Sequence, residues 1–98
     1  MSKEPLIELL QQLNIELCNK GVPLKYYGYF QNLWIYLNAA SGFLPNKEVG
    51  KSMGCSEDWG KSMLDCFEEC SVIKIDFDKD PNKSDRKLRR KIIFLIQI

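Results

Sequence analysis

The chain contains no histidine. It therefore lacks both the commonest general base and the commonest metal-ligating side chain. Its four cysteines, Cys18, Cys55, Cys66 and Cys70, form no Cys-x-x-Cys pair, so the ligand spacing of structural zinc modules is missing as well. Cys66 and Cys70 fall on the inner stripe of a helix, and a buried free cysteine behaves as a small hydrophobe. The cysteines are expected in the core, with no metal and no cofactor. No apolar run approaches the roughly 18 residues of a membrane span, and no membrane contact is expected. The first residues carry Glu4 and Glu8 among leucines, unlike the basic start of a secretory signal. Unpaired thiols without such a signal suggest a reducing, cytoplasmic setting.

Two further motifs fail on inspection. Gly50-Lys51-Ser52 and Gly60-Lys61-Ser62 each resemble the end of a phosphate loop. That loop needs another glycine five residues earlier, where Pro45 and Cys55 stand instead. With no nucleotide loop and no catalytic constellation, the chain is not expected to be an enzyme.

The 98 residues, 45% hydrophobic and 28% charged, fit one globular domain. Leu6, Leu9, Leu10, Leu13 and Leu17 trace one face of an amphipathic helix over about 4–19, closed by Gly21 and Pro23. Phe30, Leu33, Trp34 and Leu37 predict a second helix over about 28–40, ending at Ser41-Gly42. Phe43-Leu44 reads as a short extended piece before Pro45. Asn46 is expected to cap a short helix running to Gly54, and Ser56 to cap a third with Glu57 and Asp58 in its first turn. Trp59, Met63, Cys66, Phe67 and Cys70 mark the buried stripe of that helix, and Trp34 and Trp59 are both expected to be structural. The helix-turn-helix pattern covers about 46–70.

Ile73, Ile75 and Phe77 alternate with Lys74, Asp76 and Asp78 as a half-buried strand, and Lys91 to Ile98 reads as the returning strand. Both faces of the latter are apolar, which calls for cover from the N-terminal helix or from a second subunit in a homodimer or oligomer. The expected class is α+β: a winged helix-turn-helix with an extra N-terminal helix and a C-terminal two-stranded wing over about 72–98.

Charge is distributed unevenly. Residues 1–70 carry six Lys/Arg against nine Asp/Glu, while residues 71–98 carry eight against four. Between Lys83 and Lys91, six cations face only Asp85. A basic segment on a near-neutral chain predicts a polyanion contact confined to one element, or else a solvated loop.

Leu33-Trp34-Ile35-Tyr36-Leu37, Phe43-Leu44-Pro45-Asn46 and the run Val49 to Ser56 carry a resemblance, closed by Met63-Leu64, Phe67-Glu68-Glu69 and Val72-Ile73. The stretch resembles the winged helix-turn-helix modules of bacterial and plasmid replication initiators. More loosely, the chain resembles small winged-helix single-stranded-DNA-binding proteins of mobile elements in low-GC Gram-positive bacteria. The resemblance implies a DNA-binding accessory protein of mobile-element replication, with a replication protein as a further partner. One departure matters. Family members reading duplex DNA carry cations or hydroxyls on the outer face of the third helix. Here that face offers Glu57, Asp58, Lys61, Ser62, Asp65, Glu68 and Glu69, and phosphate repulsion opposes placing it in a major groove. The contact is expected instead from Lys79, Lys83, Arg86, Lys87, Arg89, Arg90 and Lys91 in the wing. Lys61 is added from the third helix, and Tyr26, Tyr27 and Tyr29 are candidate stacking platforms. Cations along a backbone with aromatics beside them are the requirements of single-strand binding. For the tyrosines, packing between helices is the competing reading. For the chain, the competing functions are a duplex-binding transcriptional regulator and a protein-interaction adaptor docking through the acidic third helix.

Overall fold

The computed structural model describes residues 3–38, 40–79 and 88–96, with side chains described for 7–38, 40–77 and 89–96. Among them are four α-helices and a three-stranded antiparallel sheet. The elements run α1 (Lys3–Asn19), a 3-10 turn (Leu24–Tyr26), α2 (Tyr27–Tyr36), β1 (Gly42–Phe43), α3 (Asn46–Met53), α4 (Glu57–Glu69), β2 (Ile73–Lys79) and β3 (Leu88–Phe94). The sheet order is β1-β3-β2. This α+β arrangement is compatible with a winged helix. The expected two-stranded wing is one strand short, because Gly42 and Phe43 pair with Ile92 and Lys91. No helix of the described residues is long and apolar enough to cross a membrane.

Each helix end has a local cause. Gly21 takes a positive φ of 81°, and the Val22 N–H donates back to the Leu17 carbonyl at 3.0 Å, closing α1. Helix α2 stops at Tyr36, four residues before the expected end. Asn38 adopts φ 55°, and its N–H donates to the Ile35 carbonyl at 2.9 Å. Asparagine tolerates the left-handed region, so it terminates the helix as glycine would. The chain released by this stop serves the sheet: the Phe94 N–H donates to the Ser41 hydroxyl at 3.1 Å.

The expected cap at Asn46 is displaced by one residue. Pro45, at φ −64° and ψ 155°, is the extended residue before α3, and its carbonyl accepts from the Glu48 N–H at 2.9 Å. Asn46 is already helical, and its side chain is committed to β3. Ser56 does cap α4, its hydroxyl accepting from the Trp59 N–H at 3.2 Å.

Helices α3 and α4 approach closely enough to need glycine. A Cβ built at Gly50 would lie 2.3 Å from the Cys55 carbonyl oxygen, and one at Gly60 would lie 2.7 Å from Val49 Cγ1. Both glycines of the Gly-Lys-Ser repeats thus serve helix packing. Beneath this crossing lies the core: Phe30, Leu33, Leu44, Val49, Met53, Met63, Leu64, Phe67, Ile73 and Ile92, with Leu13 and Leu17 from α1. Phe30 meets Phe67 edge-on at 5.0 Å and Phe94 at 5.8 Å. Phe94 also lies 4.9 Å from Trp34. These contacts lock the sheet onto α2. Ile92 and Ile96 are buried, whereas Leu95 is exposed.

The sign of a glycine substitution should differ by site. Gly28→Ala in α2, where a Cβ meets nothing within 4 Å, should stabilise by about 0.5–1 kcal/mol. Gly50→Ala should destabilise by roughly 2 kcal/mol or more, since its clash is with backbone. Urea denaturation of both variants checks this, and equal effects at the two sites would contradict the close approach.

Candidate nucleic-acid interface

The cations of β3 alternate between the two faces of the sheet, as strand geometry requires. Phe43 pairs with Lys91, and Arg89 lies two residues along the same face. The Arg89 guanidinium sits 3.9 Å above the Phe43 ring centroid, and Lys91 Nζ lies 5.7 Å from that centroid. Arg89 Nε is buried without a hydrogen-bond partner, shielded in this stack. A guanidinium held against a ring keeps its charge while losing much of its rotational freedom. Phe43 itself is exposed. On the same face, Lys74 and Asp76 form an open ion pair at 3.8 Å.

Arg90 points to the other face, where it pairs across the sheet with Phe77. Its Nη1 donates to Asn46 Oδ1 at 2.8 Å and to the Leu44 carbonyl at 3.4 Å. Its guanidinium lies 5.7 Å from the centroid of Phe77, which is 56% exposed. This is where the Asn46 side chain goes instead of capping α3. Two clefts meet at Arg90 and Phe77. One, of about 290 Å³, is lined by Phe43, Leu44, Pro45, Asn46, Phe77, Arg89 and Arg90. The other, of about 250 Å³, is bounded by Lys61, Leu64, Asp65, Glu68 and Ile75 together with Phe77 and Arg90.

The structure therefore brings Arg89 and Lys91 together beside Phe43 on one face, and Arg90 and Lys61 together at the second cleft on the other. Lys61 is also held by Glu57 at 3.0 Å, one helical turn away. Lys83, Arg86, Lys87 and the side chain of Lys79 lie outside the described residues.

The tyrosines do not form an exposed platform. Tyr26, Tyr27 and Tyr29 are half-buried against the core. Tyr26 meets Trp59 at 6.0 Å and Phe67 at 6.4 Å, edge-on. Desolvation and the neighbouring Cys18 thiol push the Tyr27 phenol above its usual range. Trp59, expected in the buried stripe, is instead 43% exposed. It sits in the first turn of α4, with Tyr26 covering one edge. The acidic outer face of α4 is present as expected, but two of its acids have structural partners. Glu57 holds Lys61, and Glu68 Oε2 accepts the Ile75 N–H at 3.0 Å.

Phe43, Phe77 and Asn46 were not foreseen as site residues. The alternation of β2 sets Phe77 on the buried face with Ile73 and Ile75, whereas it is 56% exposed at the far end of the strand. The pairing of Gly42–Phe43 with β3 has no local signal in the chain. Comparison with protein-family models, curated proteins and solved structures returns no match.

The cysteines are less buried than expected: Cys18 is exposed, and Cys55, Cys66 and Cys70 are half-buried. Burial raises the Cys55 thiol above its usual pKa, and burial with the adjacent Cys70 raises Cys66. A raised pKa means less thiolate at neutral pH. In a maleimide time course at pH 7.5, read by peptide mass spectrometry, Cys18 should be labelled first. Cys55 and Cys66 should accelerate only as pH passes the usual thiol range. Cys66 labelling ahead of Cys18 would contradict this placement.

Proposed function

We propose that this chain is a winged helix-turn-helix domain that binds single-stranded nucleic acid through its sheet, as an accessory protein of mobile-element replication. The observation that carries the reading is the Arg89 guanidinium placed 3.9 Å over the centroid of exposed Phe43, with Lys91 beside it. A stacked cation next to a second cation offers a strand both a surface for bases and charge for phosphates. The element order α2-β1-α3-α4-β2-β3 and the strand order β1-β3-β2 support the fold assignment. The basic run Lys83, Arg86, Lys87 adjoins this surface in sequence. The resemblance of Leu33–Ile73 to replication initiator modules links the domain to mobile-element replication.

The acidic face of α4 argues against groove reading. Glu68 cannot be exchanged freely, because it bonds the β2 backbone. A second reading draws support from Trp59, exposed at 43% among Glu57 and Asp58. A solvent-facing tryptophan within an acidic surface suits docking of a basic protein.

Binding of a polythymidine strand and of a duplex of equal length, titrated by fluorescence anisotropy at two salt concentrations, separates these readings. The single strand should bind more tightly. Arg89→Ala with Lys91→Ala should weaken it and flatten the salt dependence by about 0.7 in log–log slope per cation removed. Duplex binding as tight as strand binding would overturn the single-strand preference. No binding of either, with a protein partner retained in pull-down, would favour docking through α4.

A further inference from the structure

The cleft beside β1 has a composition that a cationic surface alone does not require. Strand β1 ends at Phe43, and the Leu44 N–H makes one more bond, to the Arg90 carbonyl at 2.8 Å. Pro45 then turns the chain away into α3. The cleft of about 290 Å³ occupies the corner left by this departure. Phe43, Leu44, Pro45 and Phe77 form apolar walls, Arg89 and Arg90 supply charge, and Asn46 supplies an amide. Among the described residues, none lining it is acidic.

We infer that this cleft is a subsite for one unstacked nucleobase of a bound single strand, seated against Phe77 with its phosphate toward Arg90. The inference rests on the single-strand reading above. Three features favour a base over a bare phosphate or an extended peptide. The volume is at the small end of ligand pockets, about 300 Å³, so it suits a single planar group. The lining includes the exposed Phe77, with the Arg90 guanidinium 5.7 Å from its ring centroid. Stacking on aromatic and guanidinium planes is how splayed bases are held. Finally, Arg90 is held by the Asn46 side chain and the Leu44 carbonyl, so the charged wall is rigid before any ligand arrives.

The test separates base contacts from backbone contacts. Wild type, Phe77→Ala and Phe77→Tyr are titrated with an oligothymidine and with an all-abasic deoxyribose-phosphate strand of the same length. Phe77 is 56% exposed, so its truncation should leave the fold intact, which an unchanged thermal melt verifies. Phe77→Ala should lose about fivefold or more in affinity for oligothymidine and nothing for the abasic strand. Phe77→Tyr, which keeps the ring, should bind both as wild type does. Equal loss on both strands, or no loss on either, would overturn the subsite while leaving the single-strand reading standing. Failure of wild type to bind oligothymidine at all would overturn both.

Discussion

The near contact of α3 with the start and first turns of α4 is the constraint on which the remaining geometry depends. At Gly50 the separation leaves no room for a methyl group beside the Cys55 carbonyl, and at Gly60 none beside Val49. The left-handed Gly54, at φ 74°, closes α3 and begins the short turn into α4. The crossing aims Met63, Leu64 and Phe67 from α4 into the same space as Val49 and Met53 from α3. Phe67 then meets Phe30, and Phe30 meets Phe94. The chain of contacts from helix crossing to sheet is continuous, so the position of β3 and its cations follows from the two glycines.

The sheet distributes charge by a simple device. Three consecutive cations, Arg89, Arg90 and Lys91, cannot share a face on a strand. Arg89 and Lys91 fall with Phe43, whereas Arg90 turns inward to Asn46 and Phe77. The brevity of β1 matters here, because a longer strand would cover the corner in which both sets of groups meet. A buried cation–ring contact holds Arg89, and hydrogen bonds hold Arg90. Salt should therefore disturb the charge of the surface more than its shape.

The helices were largely legible in the sequence, and the site only in part. The leucine periodicity of α1 and the Ser56 cap of α4 are local signals, and both lead to the right elements. The stop signal Ser41-Gly42 lies beyond the real end of α2, because the decisive residue is Asn38 with its left-handed backbone. The cap at α3 moved by one residue because Arg90, 44 positions away, takes the Asn46 side chain. A pairing that distant leaves no trace in periodicity. The same holds for Phe43 under Arg89. The tyrosines look like a platform because clustering is visible in a sequence, but burial against α4 depends on how Tyr26 meets Trp59 and Phe67.

Glu68 has a consequence for how this domain could change over evolutionary time. Strand β2 lies at one edge of the sheet, and Glu68 occupies its Ile75 N–H. Exposed strand edges invite pairing with another chain. The acid that disfavours groove reading by α4 therefore also protects a sheet edge. Replacing it with a cation to gain duplex affinity would release a backbone donor at the same step. Along that mutational route, affinity for a duplex and a tendency to self-associate would arrive together, unless a second substitution closed the edge first.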